Sequence, residues 1–159
     1  MEEALLNNEL ALTVPEGFSQ MDTLELARAS FTDRAPFFSI RDPERHISVT
    51  AAWKRVGKLR ASLTSPLAAA KRSERNFSAA MQTRAYRSGE LSAAVLGGRE
   101  AAFYRCAYRA EGVEMTGISL VCRGRDSVYY IHGYFRSDSL EQSLPVWEVI
   151  VKSARWNEE

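Results

Sequence analysis

Residues 91–156 decide the architecture: LSAAVLGG (91–98), REAAFYRCAYRAEG (99–112), VEMTGISLVCRG (113–124), RDSVYYIHGYFR (125–136) and SDSLEQSLPVWEVIVKSARW (137–156). Gly97-Gly98 separates two apolar runs, a tight-hairpin signal because both turn positions can require positive φ. Glu111-Gly112 and Gly124-Arg125-Asp126 mark the next two turns. Four consecutive strands are therefore expected, at 91–96, 99–109, 114–122 and 128–136. With the second turn centred on Glu111-Gly112, Arg109 falls opposite Glu114, a favourable cross-strand pair.

These strands are apolar on both sides. Tyr104, Cys106 and Tyr108 point one way, Phe103 and Ala107 the other; in the next strand Ile118 and Leu120 oppose Met115 and Val121. An antiparallel sheet with one wet face alternates cleanly between apolar and polar. This one does not, so helices are expected on both faces. The closing segment supplies one, since Leu140, Leu144, Trp147, Val151 and Ala154 form a helical stripe. Pro145 clashes with the preceding turn inside a helix. The regular helix is accordingly expected to begin near Leu144, after a turn at Asp138-Ser139.

Upstream, residues 10–14 form a short strand ended by the turn Pro15-Glu16-Gly17. One or two helical turns are expected over 21–29, and a short strand over 37–40. Residues 46–56 alternate, with Ile47, Val49, Ala51 and Trp53 on one side and Ser48, Thr50, Ala52 and Lys54 on the other, which predicts a half-buried strand. Residues 57–64 read as a polar loop. Ser65-Pro66 is a helix start, with Ser as cap and Pro at the first helical position. That helix is predicted to run to about Arg84 with Leu67, Ala70, Phe77 and Met81 on its apolar stripe.

A chain of 159 residues with 45% apolar and 26% charged residues fits one soluble globular domain. Cys106 and Cys122 lie mid-strand and out of opposition, so both are expected to be free thiols. The N-terminus lacks the basic and apolar regions of a secretory signal, and no run approaches the ~18 apolar residues of a membrane helix. A cytoplasmic protein with no membrane contact is the expectation. The oligomeric state is left open.

The order and pattern of these elements resemble the PsbP-like family. The resemblance rests on LTVPEGF (12–18) closing an N-terminal strand, RDPERHISVTAAW (41–53) as turn and strand, the middle helix, the Gly-punctuated sheet, and WEVIVKSARW (147–156) in the closing helix. It spans nearly the whole chain. That fold is shared by an extrinsic photosystem subunit, a nuclear-import factor that binds the GTPase Ran, and many small bacterial proteins, among which kin of this chain are expected. The resemblance implies an α/β/α sandwich around an antiparallel sheet of about six or seven strands, usually without enzymatic activity. The manganese- and chloride-related features of the photosystem subunit have no counterpart here, and no cofactor is expected.

Charge is laid out as a dipole. Residues 1–27 carry six acids and no base, whereas residues 53–87 carry nine bases against Glu74 alone; the whole chain nets only +1. A concentrated basic surface recruits acidic proteins or phosphates. Lys54, Arg55, Lys71, Arg72 and Arg75 are therefore the candidate contacts for an acidic protein partner. A solvated helix face is the competing reading. Nucleic-acid domains tend to be basic overall and to carry a stacking platform or a groove-reading helix; neither is evident, so nucleic acid is not the expected partner.

Other candidates are weaker. Glu74 either edges the middle helix's stripe or pairs with a buried Arg such as Arg105. His46 and His132 are far apart and lack an acidic cluster, so neither a metal site nor a triad is indicated. Gly97-Gly98 is not followed by a helix and is no phosphate loop. The aromatic set Tyr104, Tyr108, Tyr129, Tyr130, Tyr134 and Phe135 reads mainly as core, with a concave ligand patch as the alternative. The sequence thus points to a non-enzymatic binding or adaptor domain. The rival is a small-ligand or hydrolytic protein, which a deep pocket joining His132 to a carboxylate would favour.

Overall fold

The computed structural model describes residues 2–21 and 37–157. Eight strands form the main sheet: β3 (Ser19–Gln20), β4 (Phe38–Asp42), β5 (Ile47–Arg55), β6 (Arg87–Ser88), β7 (Ser92–Leu96), β8 (Arg99–Ala110), β9 (Val113–Arg123) and β10 (Ser127–Arg136). Their order is β3-β4-β5-β10-β9-β8-β6, with β7 also paired to β8, and every pairing is antiparallel. The short pieces β3 and β6, two residues each, take the count past the expected six or seven. Arg109 does lie opposite Glu114.

Register explains the two-sided apolarity. Ala102, Tyr104, Cys106 and Tyr108 of β8 share a face with Met115, Gly117, Ser119 and Val121 of β9. Helix α2 (Pro66–Ala80) covers it. The opposite face carries Ala101, Ile118, Leu120, Cys122, Tyr129, Ile131 and Phe135, in one cluster with Trp147, Ile150 and Trp156. Its cover is helix α3 (Leu140–Lys152) together with a second sheet of β1 (Glu2–Leu6), β2 (Leu10–Val14) and β11 (Arg155–Trp156). The sandwich is as expected, except that its second outer layer is part helix and part sheet.

Local chemistry fixes the elements. Ser65 caps α2, its Oγ accepting from the Ala68 amide at 3.2 Å, and Pro66 opens the helix. Its buried residues are Pro66, Ala69, Ala70, Ser73 and Phe77. Small side chains at 69 and 70 let the helix settle on Tyr104 and Val121. Leu67 is 43% exposed, so it leaves the predicted stripe; the helix ends at Ala80 rather than Arg84, with Met81 as its cap. Residues 57–64 are not a loop. Gly57, with φ 91°, starts a short helix α1 (Lys58–Leu63). It escaped the sequence reading because it buries only Ala61 and so shows no stripe. Pro145 lies inside α3, which begins at Leu140 after a 3₁₀ turn over Ser137–Ser139. At the helix's sixth position the missing N–H removes one bond while packing of Trp147 and Ile150 holds the rest. The helical turns expected over 21–29 fall almost wholly outside the described residues.

The N-terminal hairpin is tied in by Glu9, a buried carboxylate. It accepts hydrogen bonds from Tyr129 Oη at 2.5 Å and from the Arg125 amide, and Arg99 approaches to 4.0 Å. Its own carbonyl accepts from the Asn157 amide at 2.7 Å. Gly124 makes room, since a Cβ there would lie 2.7 Å from Glu9 Oε1. Gly97 serves the other end of the chain. It turns with φ 56°, and a Cβ would meet the Trp156 indole at 2.8 Å while that ring donates to the Leu96 carbonyl.

Candidate functional site

The five predicted contacts divide in space. Lys71, Arg72 and Arg75 are exposed on the outer side of α2, opposite its buried face, and among the described residues none forms an ion pair. Lys71 and Arg75 are four residues apart and stack on one side of the helix. Lys54 and Arg55 end β5. Lys54 shares the strand face of Ala52 and Thr50, on the α2 side of the sheet; Arg55 points to the other side and meets Asp126 at 3.4 Å. The fold thus groups Lys71, Arg72 and Arg75, leaves Lys54 on the same side, and takes Arg55 out of the group.

A second basic cluster emerges that the sequence reading did not single out. The start of β8, the end of β9 and the turn into β10 lie at one end of the sheet. They bring Arg99, Arg123 and Arg125 into an open groove with Ser62, Glu100 and Gly124, of about 380 Å³. Arg123 donates to the carbonyls of Ser62 at 2.7 Å and Thr64 at 3.1 Å, and pairs with Glu100 at 3.0 Å. The Arg99 guanidinium stacks over Trp156, 4.6 Å from the ring centroid. The signal was available: residues flanking consecutive hairpin turns alternate between the two ends of a sheet, so Arg99 and Arg123 must share an end.

Glu74 sits at the edge of α2's buried face, where its Oε1 accepts from Tyr86 Oη at 3.3 Å. Arg105 is exposed, so the alternative pairing fails. His46 is exposed in the β4–β5 turn with φ 56°.

His132 lies within the α2 face. Its Nδ1 bonds Ser119 Oγ at 2.7 Å and its ring meets Phe77 edge-on at 4.9 Å. Ser119 also bonds Tyr104, whose hydroxyl lies 3.3 Å from Ser73 Oγ. Burial pushes the imidazole down to about 4, so it is neutral near pH 7. Burial likewise raises Tyr104 to about 12. His132's hydrogen-bonding side-chain partner is thus a hydroxyl that is itself only 2% exposed. This arrangement satisfies polar atoms beneath a helix; it presents no activated nucleophile to solvent.

Tyr104, Tyr108, Tyr129 and Phe135 are 0–1% exposed and belong to the core, with Tyr130 and Tyr134 half-buried beside them. Cys106 and Cys122 are free, and the register puts them on opposite faces of the sheet. Burial raises their thiols to about 11 and about 12. Among the described residues no group of His, Cys, Asp and Glu could hold a metal ion, and no helix is long and apolar enough to cross a membrane.

No protein-family model and no curated protein matches the chain by sequence. Solved structures do match. The cyanobacterial PsbP (CyanoP) of Synechocystis sp. PCC 6803 superposes with a TM-score of 0.72 at 13% identity, covering 98% of this chain and 92% of that one. LpqN of Mycobacterium tuberculosis, described as involved in cell envelope biogenesis, follows with a TM-score of 0.63 at 16% identity, covering 93% of this chain and 83% of that one. The fold is PsbP-like.

Proposed function

We propose that this chain is a non-enzymatic binding domain that recognises an acidic protein partner through its basic middle region, residues 54–87. The observation that carries the reading is the exposed group Lys71, Arg72 and Arg75 on α2, which among the described residues forms no ion pair. A shallow surface with clustered bases suits adaptor chemistry: charge steers the encounter, and a few central contacts supply the affinity. The likeness to CyanoP and LpqN supports the scaffold and leaves the partner to be found.

The hydrolytic alternative gains no support from His132, which faces Ser119 and Phe77. The test is affinity capture from the native cell with mass spectrometry, followed by titration of the captured partner. Lys71→Glu/Arg72→Glu/Arg75→Glu should keep the fold and weaken binding. Raising salt should do the same, because screening acts over ~10 Å near 0.1 M. Unchanged affinity in the triple variant, with no salt dependence, refutes the proposal.

A further inference from the structure

We infer that the outward side of α1 and the arginine-lined groove at its C-terminal end form one docking surface for an acidic, amphipathic segment of a partner protein. This rests on the acidic-partner reading above and adds to the α2 group a second contact surface. Leu59 and Leu63 are each 75% exposed, and Leu67 at the start of α2 is 43% exposed. Leu59 and Leu63 are four apart and so lie one above the other on the face away from buried Ala61. A six-residue helix burying one alanine has little reason to persist alone. Arg123 holds it, capping its C-terminal end through the carbonyls of Ser62 and Thr64. The leucines are therefore presented on a clamped element. Contiguous exposed apolar residues with a polar rim mark interaction surfaces.

The rim and groove set the partner's chemistry. Lys58 and Arg60 are exposed on α1, and Arg99, Arg123 and Arg125 line the groove against Glu100. Arg123 is fixed by three hydrogen bonds and Arg99 by stacking on Trp156. Guanidiniums held in place lose little freedom when they take up a carboxylate. A segment with carboxylates at the groove and apolar side chains on Leu59 and Leu63 matches both halves. An anionic membrane surface matches less well. Interfacial helices are longer and carry Trp or Phe on the buried side, whereas α1 has six residues and no aromatic one.

The test is panning of a random displayed peptide library on the full chain, with anionic phosphatidylglycerol vesicles in parallel. The expected peptides combine Asp or Glu with apolar residues. Their affinity should fall about tenfold with Leu59→Ser/Leu63→Ser, and similarly with Lys58→Glu/Arg60→Glu. It should hold with Val149→Ser, an exposed apolar residue on α3. All these side chains point outward, so circular dichroism should show the fold retained. Failure to enrich such peptides overturns the inference, as does binding indifferent to the α1 variants. Peptides lost only with Lys71→Glu/Arg72→Glu/Arg75→Glu overturn this surface while sparing the broader reading. Vesicle binding that depends on Leu59 and Leu63, without peptide enrichment, overturns it in favour of a membrane.

Discussion

Replacing Glu9 by Ala should be among the most costly single changes in the chain, although the residue sits in a two-strand turn. The carboxylate is 3% exposed and collects two hydrogen-bond donors, Tyr129 Oη at 2.5 Å and the Arg125 amide, while the Arg99 guanidinium approaches to 4.0 Å as an ion pair. Hydrogen bonds to a charged group contribute ~1.5–3 kcal/mol, and each buried donor left without an acceptor costs ~1–3 kcal/mol. Relief from desolvating the carboxylate offsets part of this. The net loss is about 4 kcal/mol, a large share of a total near 5–15 kcal/mol. Urea unfolding followed by circular dichroism should show a midpoint lower by about 2 M for an m-value near 2 kcal/mol/M. Tyr129→Phe alone should cost about 2 kcal/mol, and the double variant should fall short of the sum by about 1–2 kcal/mol, since both changes break one bond. A Glu9→Ala loss below about 1 kcal/mol, or strict additivity with Tyr129→Phe, refutes the idea that this carboxylate ties the N-terminal hairpin to the main sheet.

Three further outcomes follow from the geometry. His132 is neutral in the fold down to pH about 4 but protonates near 6.5 when unfolded, so the unfolded state binds the extra proton; stability is level above pH 6.5 and should fall by about 2 kcal/mol between pH 6.5 and 5, a slope that His132→Gln should flatten and whose persistence in that variant would reassign it. Phe77 is 4% exposed beneath α2, and Phe77→Ala should cost ~3–5 kcal/mol in thermal or urea unfolding; a change under about 1 kcal/mol would mean α2 is not anchored there. Thiol titration should find two thiols per chain after unfolding without reductant and far slower reaction in the native state, where burial holds both thiols protonated; fast native labelling or an absence of thiols would contradict the free, buried pair.

The sheet was legible because three constraints agreed: glycines at the turns, runs of the right length, and apolar side chains on both faces. Each alone is weak, yet the hairpin register they imply puts Arg109 opposite Glu114 and keeps the two cysteines apart. Elements that bury little were not legible. α1 hides one alanine and lives on hydrogen bonds from Arg123, which lies 61 residues beyond Ser62 in sequence, a link no local pattern records. Pro145 misled for a related reason. Its local penalty predicts a late helix start, but tertiary packing of α3 against the sheet outweighs the loss of one helical bond.

The candidate site shows the same division between local and long-range information. Counting charge along the chain finds Lys71, Arg72 and Arg75, because one helix displays them together. The same count includes Arg55, which the fold turns toward Asp126 on the other side of the sheet. It passes over Arg99, Arg123 and Arg125, which are scattered in sequence and meet only because consecutive antiparallel strands return to the same end. Charge density in a window therefore measures surface potential, whereas a shaped recognition surface depends on which strand ends coincide. The two clusters make separable demands on a partner. The α2 face offers exposed lysine and arginine side chains in open solvent, suited to steering and sensitive to salt. The groove beside α1 offers guanidiniums already fixed by carbonyls, an indole and a carboxylate, next to two exposed leucines, and is suited to holding what arrives. On this division, reversing charge on α2 should act mainly on association rate and its salt dependence, while truncating Leu59 and Leu63 should act mainly on dissociation. Stopped-flow and surface-binding kinetics on the two variants separate these effects, and a shared effect on dissociation alone would show that the clusters work as one site.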